Sequence, residues 1–148
     1  MARSEGKHVS HGTTPATRKT EELADHLTQK LCREDVFPKR SRWIISGKIA
    51  DLLNDLETYV MLANEIKVVT QEDRDARHHY LNLAKATLLA LDVKVNRAQR
   101  NLSIPPDKLH HYADLAVELK NLLQSWEASD TRRYGAPRAL SHTEGDGR

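Results

Sequence analysis

The sequence predicts an all-α fold, an antiparallel up-down-up-down four-helix bundle with disordered N- and C-terminal tails, and three observations predict it. Between Phe37 and Trp126 the chain has one glycine, Gly47, and its three prolines all stand where a helix would begin. Since glycine and proline interrupt helices, long uninterrupted helices are expected here. Apolar residues, mostly Leu, Ala, Val and Ile, recur at helical spacing. The segments between these stretches are only a few residues long, which favours antiparallel neighbours.

The chain is predicted to contain one folded domain between two tails, because 148 residues is about the length of one domain. Residues 1–19 are rich in Ser, Thr, Gly and His and lack apolar periodicity, so a disordered arm is expected there. Residues 130–148 contain glycine, proline and scattered charges, and we expect a flexible C-terminal tail. The bundle is therefore predicted over residues 20–129.

The first two helices differ in the width of their apolar faces. The first is predicted over residues 20–33, and its apolar residues form one narrow stripe: Leu23, Leu27 and Leu31. The second is predicted over residues 39–67 and has a wide apolar face, which makes it central: Ile45, Ile49, Leu52, Leu53, Leu56, Tyr59, Val60 and Ala63. Gly47 inside this helix costs about 1 kcal/mol relative to alanine. We expect close approach of another helix to compensate for it.

Local signals mark the starts of the last two helices. The third is predicted from Thr70 to Asn101, because Thr70 is a good N-cap and Glu72 and Asp73 face the positive end of the helix dipole. The fourth is predicted from Pro106, a favoured first helical residue, to Trp126. Its apolar face is wide: Leu109, Tyr112, Leu115, Ala116, Leu119, Leu122, Leu123 and Trp126.

Charge is predicted to be polarised along this bundle, although the net charge is only +2. In an antiparallel bundle, the end of the first helix, the start of the second, the end of the third and the start of the fourth share one end. Basic residues outnumber acidic ones there: Lys30, Arg33, Lys39, Arg40, Arg42, Lys48, Lys94, Arg97, Arg100 and Lys108. The opposite end is rich in acids, which four cations offset: Lys67, Arg74, Arg77 and Lys120.

The basic end has two interpretations. Lys94, Arg97 and Arg100 recur every three residues, which places them roughly on one helical face where they can contact nucleic-acid phosphates. Alternatively, cations are simply favoured at a helix C-terminus. That alternative does not explain the cations at the start of the second helix, where they are unfavourable: Lys39, Arg40 and Arg42. Arg42 beside Trp43 is the pair that most favours nucleic-acid contact.

Other classes of protein are disfavoured by missing motifs. The pairs His78-His79 and His110-His111 diverge by about 100° on a helix, so neither pair readily chelates one metal. Phosphate-binding, dinucleotide, hydrolase and metalloprotease motifs are absent from the sequence. Cys32 is the single cysteine, which excludes an internal disulfide and fits a reducing cytoplasm. We therefore expect no catalytic site, metal or cofactor, no membrane span, and a cytoplasmic protein. A small metal- or thiol-dependent enzyme is the disfavoured third class.

Three segments carry a resemblance to a known family. Phe37-Pro38-Lys39-Arg40 opens a long apolar helix, and Ile104-Pro105-Pro106 follows a third helix with a basic end. The fourth helix then carries a leucine-rich run that ends in Ser-Trp: Leu115, Leu119, Leu122, Leu123, Ser125 and Trp126. Over about residues 35–133 the chain resembles the accessory variability determinant proteins of diversity-generating retroelements. These lie within a wider four-helix-bundle family that includes the ribosomal RNA intervening-sequence proteins.

The resemblance implies a function as well as a fold. It implies a homopentamer of four-helix subunits with a positively charged surface, and binding to the reverse transcriptase of the retroelement and to RNA or DNA. The implied role is non-catalytic support of mutagenic complementary-DNA synthesis and retrohoming. The candidate nucleic-acid-binding residues are Lys39, Arg40, Arg42, Lys94, Arg97, Arg100, Arg132 and Arg133. The alternative is a structural or protein-interaction bundle of the intervening-sequence type that docks an acidic partner.

Self-association is also indicated by the apolar residues themselves. Trp43, Tyr59 and Trp126 are large groups beyond a simple bundle seam, and the second and third helices are apolar over a broad arc. Broad apolar faces on a small domain favour burial against other subunits. The number of subunits, five, is implied by the resemblance alone.

Overall fold

A computed structural model of the chain describes residues 13–138, which form four α-helices and contain no β-strand. The helices are α1 (Pro15–Leu31), α2 (Gly47–Glu65), α3 (Gln71–Leu102) and α4 (Pro106–Tyr134). A short 3₁₀ helix (Lys39–Ser41) and a π-helix (Arg42–Ser46) precede α2. The prediction of an all-α, four-helix protein is confirmed. Within residues 13–138, each helix is too short or too polar to cross a membrane.

Each helix packs against two neighbours, α1 against α2 and α4, and α3 against the same two helices. Contacts fix the direction of α4 relative to both of its neighbours. Against α1, Lys19 meets Glu118 whereas His26 meets His111, so the two helices run in opposite directions. Against α3, Arg74 meets Glu127 whereas Asp92 meets Tyr112, so this pair is also antiparallel. The core between the four helices is aliphatic, and its most deeply buried members include Leu23, Leu27, Ile49, Leu56, Leu81, Leu91, Leu119 and Leu123.

The start of α3 follows its prediction because the signals are local. The Thr70 hydroxyl accepts a hydrogen bond from the Asp73 N–H at 3.1 Å, and the Asp73 carboxylate accepts one from the Thr70 N–H at 3.0 Å. This reciprocal capping box satisfies amide groups that the first turn leaves unpaired. The helix ends at Leu102, and Ser103 adopts a left-handed conformation with φ 54°. Pro106 then stands at the start of α4 as predicted.

The predicted arm and tail are both too long. α1 begins at Pro15 rather than at residue 20, because the Thr14 side chain accepts a hydrogen bond from the Thr17 N–H at 3.2 Å and caps the helix. Pro15 is well suited to the first turn, where its missing N–H costs nothing. α4 continues to Tyr134 rather than ending within residues 126–129, and it buries Asp130. The rest of both predicted tails, residues 1–12 and 139–148, lies outside the described residues.

The second helix does not begin as one continuous α-helix. The Gly47 N–H donates to the Arg42 carbonyl five residues earlier, which is the bond that defines the π-helix. A Cβ on Gly47 would lie 2.6 Å from that carbonyl oxygen. The predicted reason for this glycine, close approach of another helix, is therefore wrong. The glycine accommodates a carbonyl of its own helix.

Candidate nucleic-acid interface

Two segments of the chain meet at one end of the molecule, residues 30–48 and residues 94–108, and we call this the basic end. The π-helix packs against α3. The start of α4 is close to the segment that joins α1 to the 3₁₀ helix, because the charge of Lys108 reaches Asp35. The structure thus brings together most of the cations that the sequence predicts to share one end.

Two of these cations are paired with acids. The Arg33 guanidinium donates two hydrogen bonds to the Asp35 carboxylate, at 3.0 and 2.7 Å, and these bonds hold the pKa of Asp35 below its usual value. Lys39 lies 3.6 Å from Glu34 in a second, exposed pair. Because exposed ion pairs are weak, a phosphate can displace them. They nevertheless reduce the positive charge that Arg33 and Lys39 present to a ligand.

Four predicted site residues are exposed and have no acidic partner within residues 13–138: Arg40, Arg42, Arg97 and Arg100. Lys94 also lacks such a partner, but it is half-buried and therefore less available than Arg97 or Arg100. An unpaired, exposed guanidinium group can donate two parallel hydrogen bonds to a phosphate. These arginines are thus the part of the predicted site that the fold leaves available for an anionic ligand.

An exposed aromatic residue directly follows one of these arginines, Arg42, in the chain. Trp43 is 86% exposed and Ile44 is 65% exposed, and both belong to the π-helix. Their neighbour Ile45 is buried in the core and anchors the segment. An exposed indole beside guanidinium groups provides a flat surface on which an unpaired base can stack while its phosphates contact the cations. The sequence predicts that Arg42 and Trp43 contact nucleic acid, and both side chains are exposed in the structure.

Arg132 and Arg133 do not join this surface. They lie in the last turn of α4, whose C-terminal part packs against the start of α3 through Arg74 and Glu127. Since a helix rises about 1.5 Å per residue, they lie roughly 40 Å from Pro106 at the basic end. The predicted cations therefore do not all lie on one continuous surface of the chain. We call the region of Arg132 and Arg133, which also contains the start of α1, the end of α2 and the start of α3, the far end.

The far end contains a buried charged cluster that the sequence does not reveal. Arg74 is 1% exposed, and its guanidinium donates to Glu127 Oε1 at 2.9 Å, Thr131 Oγ1 at 3.1 Å and the Gly135 carbonyl at 3.1 Å. Arg74 thus offsets an acid of this end as the sequence predicts, but it does so from a buried position. Burial alone would raise the pKa of Glu127, but hydrogen bonds from Arg74 and His78 outweigh it, so this pKa is lowered.

Arg77 is the second cation of this cluster. It donates to Asp130 Oδ1 at 3.1 Å and to the Ile66 carbonyl. Asp130 is 3% exposed, and this burial raises its pKa, against the charge and hydrogen bond of Arg77. Spacing does carry a signal for the cluster, because Arg74 and Arg77 extend the buried stripe of α3 that continues through Leu81.

The histidines lie in separate parts of the fold. His78 lies 2.7 Å from Glu127, whereas the His111 ring meets the His26 ring edge-on with centroids 4.6 Å apart. Burial, together with the charges of His111 and Lys30, lowers the pKa of His26. Within the described part of the chain, residues 13–138, groups of three or more His, Cys, Asp or Glu side chains placed to hold a metal ion do not occur.

The basic end thus combines exposed guanidinium groups with an exposed indole, whereas the cations of the buried cluster are occupied by carboxylates. The first arrangement can bind an extended anion that carries flat rings. Comparison of the chain with protein-family models, with curated proteins and with solved structures gives no match.

Proposed function

We propose that this chain is a non-catalytic, cytoplasmic accessory protein that binds RNA or DNA through the basic end of an up-down-up-down four-helix bundle. The observation that carries the proposal is the exposed Trp43 in the same short segment as Arg40 and Arg42, which are exposed and lack acidic partners among residues 13–138. The resemblance to accessory variability determinant proteins supplies the context. In that context the protein binds the reverse transcriptase of a diversity-generating retroelement and supports mutagenic complementary-DNA synthesis and retrohoming.

Salt dependence is the physical consequence that tests this proposal. Each phosphate neutralised on a single strand contributes about −0.7 to the slope of log affinity against log salt. With Arg40, Arg42, Arg97 and Arg100 in contact, the slope is expected to be about −3. Stacking on Trp43 adds about 1 to 3 kcal/mol per base and depends little on salt. Single strands should therefore bind more tightly than duplexes, whose bases are not available for stacking.

The experiment is a titration of a labelled single-stranded oligonucleotide, followed by fluorescence anisotropy at several salt concentrations. The double variant Arg97→Gln/Arg100→Gln should make the slope of log affinity against log salt less steep by about 1.4, because two phosphate contacts are lost. The matched control is Lys120→Gln/Arg132→Gln, which removes the same charge from exposed positions outside the basic end. Absence of binding at low salt, or equal losses in both double variants, would show that the basic end is not the interface.

Assembly into a homopentamer is part of the same proposal. Exposed apolar side chains support self-association: Trp43, Ile44, Leu89, Val93 and Val117 are all more than half exposed in the single chain. Native mass spectrometry of the purified chain measures the number of subunits directly. A monomer at micromolar concentration would contradict the assembly, and any other closed ring would contradict the number five.

A protein-interaction bundle that docks an acidic partner is the second candidate. The observation that favours it lies on α3, where Leu89 is 66% and Val93 is 56% exposed, about two turns and one turn before the arginine at position 97. An apolar pair that continues into cations suits an acidic amphipathic helix. Under this candidate the Leu89→Ser/Val93→Ser variant loses the protein partner, and nucleic acid does not bind even at low salt.

A further inference from the structure

The far end contains a cleft of about 560 Å³ between the start of α1, the end of α2 and the end of α4. This volume lies within the range of small-molecule sites, about 300 to 1,000 Å³. The side chains that define its chemistry are two aromatic rings, three cations and one carboxylate: Trp126, Tyr134, Lys67, Arg77, Arg133 and Asp130. Three cations and one carboxylate give a formal charge of +2, so the cleft favours an anion.

One of the three cations in the cleft is held in place by other residues, and the other two are exposed. Arg77 is held by Asp130 and by the Ile66 carbonyl, and its guanidinium carbon lies 5.8 Å from the centroid of the Trp126 ring. This contact stabilises the orientation of the indole before any ligand binds. Lys67 and Arg133 are exposed and have no acidic partner within residues 13–138. They remain available to bind a phosphate.

The carboxylate of Asp130 is already occupied by the arginines of the buried cluster. Its Oδ1 accepts a hydrogen bond from Arg77 at 3.1 Å, and its Oδ2 lies 3.9 Å from Arg74 Nη1. Asp130 is 3% exposed, so it orients Arg77 and presents little negative charge to a ligand in the cleft.

We infer that this cleft binds a nucleoside monophosphate, with the base against Trp126 and Tyr134 and the phosphate between Lys67 and Arg133. The base offers the flat ring that an aromatic surface stacks on, and the phosphate matches the two exposed cations. The same chemistry is present in a free mononucleotide and in the 5′-phosphorylated end of a strand. This site is separate from the basic end and does not depend on the function proposed there.

The test uses the intrinsic fluorescence of Trp126 in the full chain. The chain has two tryptophans, so Trp43→Phe leaves Trp126 as the only one. A nucleoside 5′-monophosphate should quench its emission saturably at micromolar to millimolar concentration. The nucleoside alone and inorganic phosphate should each bind at least about tenfold more weakly, since each keeps only one of the two recognised groups. A 5′-phosphorylated tetranucleotide that binds more tightly than the monophosphate assigns the site to strand ends, and the reverse order assigns it to free nucleotides.

Two neighbouring arginines provide the matched variants. Arg133 lines the cleft, whereas Arg132 is also exposed, lies on the same helical turn and does not line it. In the Trp43→Phe background, Arg133→Gln should weaken binding at least about tenfold, as expected for loss of a charge-assisted hydrogen bond. Arg132→Gln should change it less than about twofold. Absence of saturable quenching by the monophosphate at millimolar concentration, or equal weakening by both variants, would overturn the inference.

Discussion

Replacement of Arg74 by methionine should lower the free energy of unfolding by about 3 kcal/mol. The side chain is 1% exposed and donates three hydrogen bonds, one to a carboxylate on Glu127 and two to neutral oxygens of Thr131 and Gly135. Removal of one partner of a buried ion pair costs about 3 to 5 kcal/mol. The lower value applies because Glu127 keeps its 2.7 Å contact with His78. Methionine fills a similar volume, so little packing is lost.

Arg74 needs carboxylate partners because of its position in α3. It lies in the first turns of α3, where the helix dipole is positive and a cation is unfavourable. Glu127 and Asp130 supply the negative charge that offsets both this dipole and the loss of hydration. A double-mutant cycle of Arg74→Met with Glu127→Gln should therefore show a coupling energy of about 1 to 3 kcal/mol, because each residue stabilises the other.

The pH dependence of the same variant has a definite sign. In the native protein the pKa of Glu127 is lowered, so this group contributes stability above its unfolded pKa and loses it as pH falls through the folded pKa. Without Arg74, only the contact with His78 opposes the effect of burial, so the pKa of Glu127 should be higher in the variant than in the native protein. The difference in the free energy of unfolding between the native protein and the variant should shrink as pH falls from 7 to about 4, which is close to the ordinary pKa of a glutamate.

Urea unfolding followed by circular dichroism at 222 nm measures these differences. The control is Arg138→Met, which removes an exposed cation whose pairs with Glu72 and Asp75 lie at the surface, so it should cost clearly less than Arg74→Met. If Arg74→Met costs less than about 1 kcal/mol, or no more than Arg138→Met, then the buried cluster does not stabilise the fold in the way argued. A coupling energy near zero would show that Arg74 and Glu127 act independently.

Three further predictions test other parts of the fold. Gly47→Ala should destabilise the protein by about 1 to 3 kcal/mol, because its Cβ would lie 2.6 Å from the Arg42 carbonyl oxygen, and stabilisation in urea would contradict this. Tyr112→Phe should cost about 1 to 2 kcal/mol in the same assay, since the hydroxyl donates at 2.6 Å to a carboxylate of α3, and an unchanged midpoint would contradict it. Hydrogen bonds from the backbone N–H of Arg138, from its side chain and from Gln71 lower the pKa of Asp75 to about 2. Arg138→Ala removes only the side-chain contribution, so a carbon-13 NMR titration should show a higher pKa that still lies below the usual value of about 4. An unchanged pKa in that variant would exclude the Arg138 side chain as a cause.

Local sequence signals predict helix boundaries well in this chain. The cap at Thr70 and the proline at 106 each act within one turn, and the structure confirms both starts. Thr14-Pro15 is an equally local signal, but the polar composition around it masks the start of α1. The π-helix leaves no periodic trace, because one extra residue in a single turn does not alter the spacing of apolar residues over a long window. Its only sign in the sequence is Gly47.

Burial of charged residues is harder to predict, because their charge indicates exposure whereas their position in the helical period indicates burial. Arg74 and Arg77 continue the buried stripe of α3, yet arginine is rarely fully buried unless it is paired. The partner of Arg74 is Glu127 and the partner of Arg77 is Asp130, and each lies 53 residues further along the sequence. Only the antiparallel packing of α3 against α4 brings them together. The same packing carries the far-end arginines of α4 away from the rest of the predicted site.

The buried cluster and the basic end therefore differ in how their cations are paired. At the far end, Arg74 and Arg77 have carboxylate partners in a buried cluster, and their charge is compensated before it reaches solvent. At the basic end, Arg97 and Arg100 are exposed and lack acidic partners within residues 13–138. A surface potential depends on such uncompensated charge, and a phosphate gains most from cations that need not first release a carboxylate. Removing charge at positions 97 and 100 should therefore change nucleic-acid affinity, whereas removing it at position 74 should change stability.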